Sequence, residues 1–558
     1  MLKPFPATMP QLIDGDAALQ RYLDTYPQAT PSEPANAISR DDWLALADDT
    51  TEQAYDLACT LGLPLVRLER IRVDPEAAAV LSPSAARQLR AVPLCTLNGK
   101  IAVAMENPGT ASVRQTLDFL SREHVIPLVA SPREIREGIA RSYDWAEDRS
   151  IARQLGLDPE SSEADPGDRD AQRLSTERSV VTLVDQLIAD AFARRASDIH
   201  LRPAPRWTDV LYRIDGELVP VRRLMRALHP AVVGRIKVLG GMNLAEHRRP
   251  QDGRTSFAVD GHRIDLRISI LPAVFGESAV LRLLDADEGL WQLDGLGLGK
   301  DDRQRVEDVM QRSHGMFLTT GPTGCGKSTT LYAMLLEMRK QRINILTIED
   351  PVEFHIEDVQ QMQVNRAAGF TFASAMRNFL RHDPDVIMVG EIRDRETAGI
   401  AVESALTGHL VLSTLHTNTA ATTVVRLLDL GVEAYLLRSA LLAVMAQRLV
   451  RLTCTHCREA ETADPHMREA LGVGADETFY IGYGCPHCEG LGVHKRRAVY
   501  ELMVVTPAMR ALIAPGAEAD AIHRLAVAEG MVPLTRAAVD LARSGAISLA
   551  EAWRVRAE

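Results

Sequence analysis

Eight consecutive residues, Gly321 to Ser328, read GPTGCGKS and carry chemistry that can be named at once. Gly321, Gly324 and Gly326 free the backbone to turn successive N–H groups inward, as a loop must to hold phosphate oxygens. Lys327 brings a positive charge to the β- and γ-phosphates, and Ser328 offers an oxygen to Mg²⁺. Pro322, Thr323, Cys325 and Thr329 complete the expected ATP-binding stretch. A thiol beside a helix N-terminus is open to activation, but Cys325 fills an unconstrained position and reads better as a small inert residue.

Hydrolysis needs carboxylates as well as a phosphate loop. The segment NILTIEDPVEF, Asn344 to Phe354, ends in Glu349, Asp350 and Glu353, and DPDVIMVGEIRD runs straight into Gly390-Glu391. One carboxylate must orient the attacking water, and a second helps to hold Mg²⁺ through its water shell. Glu391 is assigned to the water and Glu349 to the second role, while Asp350 and Asp394 read equally well as helix caps. His409 and His416 flank a further apolar run, LVLSTLH. Such a histidine either senses the γ-phosphate or is a satisfied structural residue, and the residues alone favour structure.

A second kind of chemistry sits further on. Cys454-x-x-Cys457 and Cys485-x-x-Cys488 are separated by Arg458 to Gly484. Four thiolates in two tight pairs suit a closed tetrahedral Zn²⁺ site. The competing reading is a pair of redox-active motifs, yet neither lies at a strand-to-helix junction. His456 and His487, inside the knuckles, are poorer ligands.

These side chains need a scaffold that brings them together. An apolar strand, Met316 to Thr320, enters the phosphate loop, and a helix leaves it with Leu331, Met334, Leu335 and Met338 on one face. From Leu293 to Val450 strand, loop and helix alternate, as in a parallel sheet wrapped by helices. Ligands of such sheets lie beyond the carboxyl ends of the strands, where both acidic segments converge on the loop. The fold class is α/β: a RecA-like P-loop core over 291–450, preceded by two smaller α/β or α+β domains and carrying a zinc-knuckle insertion over 451–497. A mobile Pro-rich segment is expected over 1–41, an α/β docking domain over 42–145, a solvated linker over 146–176, a second domain over 177–290 and C-terminal helices over 498–558. Asp215-Gly216 and Asp260-Gly261 lie between apolar runs, which is hairpin chemistry.

The chain of 558 residues is too long for one core. Its formal charge of −12 argues against an extended grip on nucleic acid, and against a helicase or DNA translocase of the same core class. Met1 to Pro10 lacks the apolar core of a signal peptide. The most apolar long stretch, Ala434 to Val450, is broken by Arg438, Gln447 and Arg448. It falls short of the roughly 20 residues a span needs. Membrane contact is therefore expected through a partner. Seven cysteines, four of them in the two pairs, fit a reducing cytosol better than a disulfide framework.

Taken together these segments resemble the ATPase superfamily that serves type II secretion and type IV pilus assembly. Besides the phosphate loop, TIEDPVEF is similar to its aspartate box, DPDVIMVGEIRDRETA to its Walker B segment and TGHLVLSTLHTN to its histidine box. ASDIHLRP, RIDG, RRPQDGR and LRISILPAVFGESAVLRLLD look like the domain before the motor, and the cysteine knuckle and N-terminal module match too. The resemblance runs from about Tyr55 to the C-terminus. It implies a homo-hexameric ATPase on the cytoplasmic face of the inner membrane, coupled to a pseudopilus or pilus through a platform protein. It also implies that His409 and His416 join the nucleotide site, and that arginines of the preceding domain close over the nucleotide, for which Arg213 and Arg226 are best placed. The family commonly carries an acidic residue where Thr419 stands. DLRIS and VLRLLD lean toward the type II branch, with pilus assembly the alternative; the knuckle disfavours the retraction motor.

Overall fold

The computed structural model describes residues 9–26, 38–45, 51–97, 99–109, 124–158, 173–259, 261–285, 292–488 and 491–556. Two compact units emerge, Met1–Leu283 with Gly484–Leu491, and Leu284–Tyr483 with Gly492–Glu558.

The first unit opens with five strands, β1 (Leu12–Ile13), β2 (Leu65–Val66), β3 (Ala91–Leu97), β4 (Lys100–Met105) and β5 (His124–Val129). They form one sheet in the order β1-β2-β5-β4-β3, parallel except for the β3–β4 hairpin. β4 and β5 read as almost continuous apolar runs because both faces are covered. The segment expected to be mobile over 1–41 is not so throughout. Leu12–Ile13 adds an edge strand, and the helix Asp16–Thr25 buries Leu19 and Leu23 in the same core. Those two residues stand four apart on one helical face, a short pattern that the surrounding prolines obscured. Residues 1–8 and 27–37 lie outside the described residues.

The expected linker over 146–176 also narrows. Residues Trp145–Gln154 form a helix whose Ile151 and Ala152 pack with Leu183 and Val184 of the next domain. Within it Asp148, fully buried, accepts from Arg222 at 2.5 Å and from the Met225 N–H at 2.8 Å. A buried carboxylate held by two donors fixes this helix in place, which composition alone does not reveal. Residues 159–172 lie outside the described residues.

The second domain is a six-stranded antiparallel sheet. Its strands are β6 (Ala196–Pro203), β7 (Trp207–Ile214), β8 (Glu217–Met225), β9 (Gln251–Val259), β10 (His262–Ala273) and β11 (Gly276–Asp285), ordered β8-β7-β6-β11-β10-β9. Burial alternates residue by residue along β7, so one face meets the core and the helices Arg178–Ala193 and His229–Leu239. Asp215 and Gly216 both take positive φ, 49° and 90°, the backbone a two-residue hairpin between β7 and β8 requires. At the second expected turn Asp260 lies outside the described residues.

The second unit holds a seven-stranded sheet of β12 (Gly315–Thr320), β13 (Ile345–Glu349), β14 (Gln360–Gln363), β15 (Val386–Val389), β16 (Leu410–Leu415), β17 (Leu441–Thr453) and β20 (Val493–Val504). Its order is β14-β13-β15-β16-β12-β17-β20, parallel up to β17 and antiparallel at β20. The boundary expected at 498 therefore cuts through a strand: β20 pairs with β17 from Val493 to Val504, and the helices begin only at Pro507. The knuckle segment between β17 and β20 carries the hairpin β18 (Arg458–Ala460) and β19 (Tyr480–Gly482). Among the described residues no helix is long and apolar enough to cross a membrane.

Candidate nucleotide site and cysteine cluster

β12 delivers the phosphate loop, and the helix Lys327–Met338 carries it away. Gly321 has φ 142°, and a Cβ there would meet the Gln447 carbonyl at 2.5 Å and the Cys325 sulfur at 2.6 Å. Only glycine fits such an approach. Lys327 is buried and donates to the carbonyls of Gly321 at 2.8 Å and Pro322 at 3.0 Å. Burial lowers its pKa, while the nearby Cys325 and Glu391 act in the opposite sense. Ser328 is exposed at the start of the helix, open to an incoming ion. The Cys325 thiol is buried, and burial pushes its pKa up, against the charges of Lys327 and Arg448.

β15 and β16 lie side by side and end together. Thr414 donates to the Gly390 carbonyl at 2.7 Å, and the Ile392 N–H to the Thr414 carbonyl at 3.0 Å, which pins Glu391 between them. Glu391 is 9% exposed, pairs with Arg393 and lies 3.4 Å from His416 Nε2. The structure thus joins Lys327, Glu391 and His416 around the loop. His409 differs: its Nδ1 meets the Ser404 carbonyl at 3.0 Å, a structural bond.

Glu349, at the end of β13, is 4% exposed, and its oxygens are taken by neutral donors. Thr347 donates at 2.6 Å and Gln361 at 3.1 Å to one oxygen, and the Tyr332 hydroxyl donates to the other. Burial raises its pKa against these three hydrogen bonds. Asp350 pairs with Arg366 at 2.8 Å, and Asp394 caps the helix Arg395–Leu406 by accepting from Thr397 N–H. Thr419, where an acid was the family habit, caps Ala420–Asp429 in a box with Thr422.

Arg213 and Arg226 belong to the first unit. Arg213 donates to the Gly216 carbonyl at 2.9 Å and lies 3.6 Å from Asp198, so its guanidinium is engaged. Arg226 is half-buried, and its Nη1 is buried with no hydrogen-bond partner among the described residues.

Sequence reasoning missed one group of first importance. Gln447, 1% exposed on β17, donates to the Cys325 carbonyl at 2.8 Å and accepts from Thr330 at 2.9 Å. It braces the phosphate loop from behind. Arg448 beside it donates to the Asn418 carbonyl at 3.1 Å, tying the end of β16 to β17. The signal was present: two polar residues interrupt an apolar strand.

The four sulfurs of Cys454, Cys457, Cys485 and Cys488 all lie within 4.8 Å of one another. Tetrahedral Zn²⁺ with bonds of about 2.3 Å separates its sulfurs by roughly 3.8 Å, and Cys485 and Cys488 stand 3.7 Å apart. The donor set and its spacing fit zinc. His456 and His487 are not in the cluster.

Comparison with known proteins places this geometry. The family described as Type II/IV secretion system protein matches residues 173–554, and the MshEN domain matches residues 61–148. The Type II secretion system protein E of Pseudomonas aeruginosa is 43% identical over 413 residues, 72% of this chain and 82% of that relative. The Type IV pilus assembly ATPase PilB of Thermus thermophilus is 39% identical over 507 residues, 89% of this chain. The chain spans only 56% of that longer relative. In fold alone, the ATPase DotB of Legionella pneumophila matches with a TM-score of 0.51 at 22% identity, over 67% of this chain and 95% of DotB. A match over well more than half the chain shows that it belongs to the Type II/IV secretion system protein family, as an ATP-hydrolysing enzyme of secretion or pilus assembly.

Proposed function

We propose that the chain powers type II protein secretion, working as a homo-hexamer on the cytoplasmic face of the inner membrane and driving pseudopilus assembly through a platform protein. The observation carrying the motor chemistry is Glu391, held beside His416 and within reach of the Lys327 charge. Support for the type II branch comes from DLRIS and VLRLLD on β10 and β11. In the host, a chain carrying Lys327→Ala should stop release of exported enzymes and leave surface pili intact. Loss of pili with normal secretion would transfer the role to pilus assembly.

In this reading ATP binds Gly321 to Thr329 with Mg²⁺ on Ser328, Glu391 orients the water and Glu349 supports the metal's water shell. A specific observation favours a second reading with the roles exchanged: burial raises the Glu349 pKa, as suits a proton acceptor. The closing arginine is better sought in Arg226 than in Arg213, because Arg226 Nη1 has no partner to release among the described residues. Arg226→Ala should cut turnover and leave ATP affinity nearly unchanged. Partial rescue on mixing with a Lys327→Ala chain would mean that the arginine acts across a subunit boundary. Wild-type turnover in both Arg226→Ala and Arg213→Ala would end the closing mechanism.

The cysteine cluster holds one structural Zn²⁺ per chain in this reading, and the knuckle folds around it. Elemental analysis of chain purified without chelator should find one equivalent, falling in Cys485→Ser with local loss of structure. Absence of metal from the wild-type chain would remove the assignment.

A further inference from the structure

A cavity of about 480 Å³ lies in the first unit, where the N-terminal module meets the antiparallel sheet. Its walls carry Arg87, Arg90, Arg136, Arg194, Arg222 and Arg223. Six guanidiniums around one small volume repel one another unless anions offset them. Arg90 pairs with Glu106 at 2.6 Å, Arg194 with Asp190 at 3.1 Å, Arg222 with Asp148 at 2.5 Å, and Arg223 with Asp209 and Glu137 at 3.0 Å each; Arg87 is engaged as well.

Arg136 is different. It projects from the helix Pro132–Ile139, is half-buried, and makes no ion pair among the described residues. Burial lowers its pKa; Glu106 and Glu137 draw on its charge from beyond ion-pair distance, and Arg90 and Arg223 oppose it. A desolvated guanidinium facing two others calls for an anion. Arg223 beside it is rigid, clamped by its two carboxylates and stacked 4.3 Å from the Trp207 ring centre. A donor fixed in advance loses little freedom when a ligand arrives.

We propose that this cavity is a binding site for a small, multiply charged phosphate compound, received by Arg136 with Arg223 and the guanidiniums around them. The planar guanidinium fork matches phosphate oxygens two at a time, and several forks suit a ligand with more than one phosphate charge. The volume falls within the roughly 300–1,000 Å³ of small-molecule sites and exceeds what one phosphate fills. Walls from two domains mean that the ligand would tighten the seam between them. A bare polyphosphate and a phosphorylated organic body share this chemistry; the apolar wall of Ile135, Ile139 and Leu211 gives the second something to rest on.

The test uses the full chain with its phosphate loop filled by ADP and Mg²⁺. Calorimetric titration with inorganic tripolyphosphate and, separately, with adenosine 3′,5′-bisphosphate should reveal one further site per chain. Tighter binding of the first assigns a bare phosphate chain; tighter binding of the second assigns an organic body. Arg136→Gln should weaken that site at least tenfold while ATP turnover at saturating ATP stays unchanged, which also shows that the variant folds. Arg87→Gln serves as the second variant if Arg136→Gln is not soluble. No additional site with either probe, or a site of equal affinity in both variants, would overturn the proposal.

Discussion

Glu349 and Glu391 close neighbouring strands of one parallel sheet, and both are buried, yet their surroundings are opposite. Glu349 accepts from a tyrosine, a threonine and a glutamine, all neutral, and burial raises its pKa. Glu391 is paired with the Arg393 guanidinium and lies 3.4 Å from the His416 ring. A doubly wound sheet brings carboxylates to the same edge. What each can do there is decided by partners that arrive from other elements. Tyr332 comes from the loop helix and Gln361 from β14, whereas His416 comes from the end of β16. The strand motifs place the two acids; the neighbours divide their work.

The largest effects test that division directly. Lys327→Ala should lower ATP turnover by roughly 10²–10³-fold or more, since the phosphate charge loses its fixed partner. Glu391→Gln should still bind ATP but hydrolyse it about 10²–10⁴-fold more slowly. Glu349→Gln should cost far less, about tenfold, if its carboxylate serves position and not the water. Single-turnover phosphate release, read beside ATP affinity, separates these cases. A smaller loss in Glu391→Gln than in Glu349→Gln would exchange the two roles, and turnover within a few-fold of wild type would sink Glu391.

A second test reads stability against pH. The pKa of Glu349 is raised in the folded chain above its unfolded value of 4.5. Below that unfolded value the carboxyl is protonated in both states, so nothing is lost. As pH climbs through the folded value, the buried charge costs stability, and the cost is full above it. Glu349→Gln should therefore gain in thermal stability relative to wild type as pH rises through this window. A Glu349→Gln variant whose stability tracks wild type across this window would remove the burial cost of Glu349 from the comparison.

What was legible in the sequence follows from how local each feature is. The phosphate loop fills eight adjacent positions between a strand and a helix, so pattern sufficed for Lys327 and Ser328. The two cysteine pairs were legible because each is four residues long. The strand Leu12–Ile13 and the helix Trp145–Gln154 were not. The strand has two apolar residues and the helix four, in stretches rich in proline or charge, and each is held by partners elsewhere, such as Arg222 on Asp148. Capping by Thr419 and the role of Gln447 were hidden for the same reason. A single threonine or glutamine carries no signature until its neighbours are known.

Gln447 offers the smallest and most discriminating of these effects. It stands on β17, remote in sequence from the loop it braces, and holds the Cys325 carbonyl and the Thr330 hydroxyl at once. Gln447→Leu keeps the volume roughly but strands both groups in a buried place. Leaving such groups without partners costs about 1–3 kcal/mol each, part of which relaxation recovers. A loop loosened by 1–2 kcal/mol holds phosphate about 5–30-fold less tightly. The loss should therefore appear in the KM for ATP, with kcat reduced only a few-fold, because neither Glu391 nor Lys327 has been touched. It should add to the effect of Glu349→Gln, since the glutamate's donors come from Tyr332, Thr347 and Gln361 and not from Gln447. A hundredfold fall in kcat at unchanged KM would mean instead that Gln447 acts on the transition state. The loop brace would then belong with Glu391 on the reactive side of the comparison.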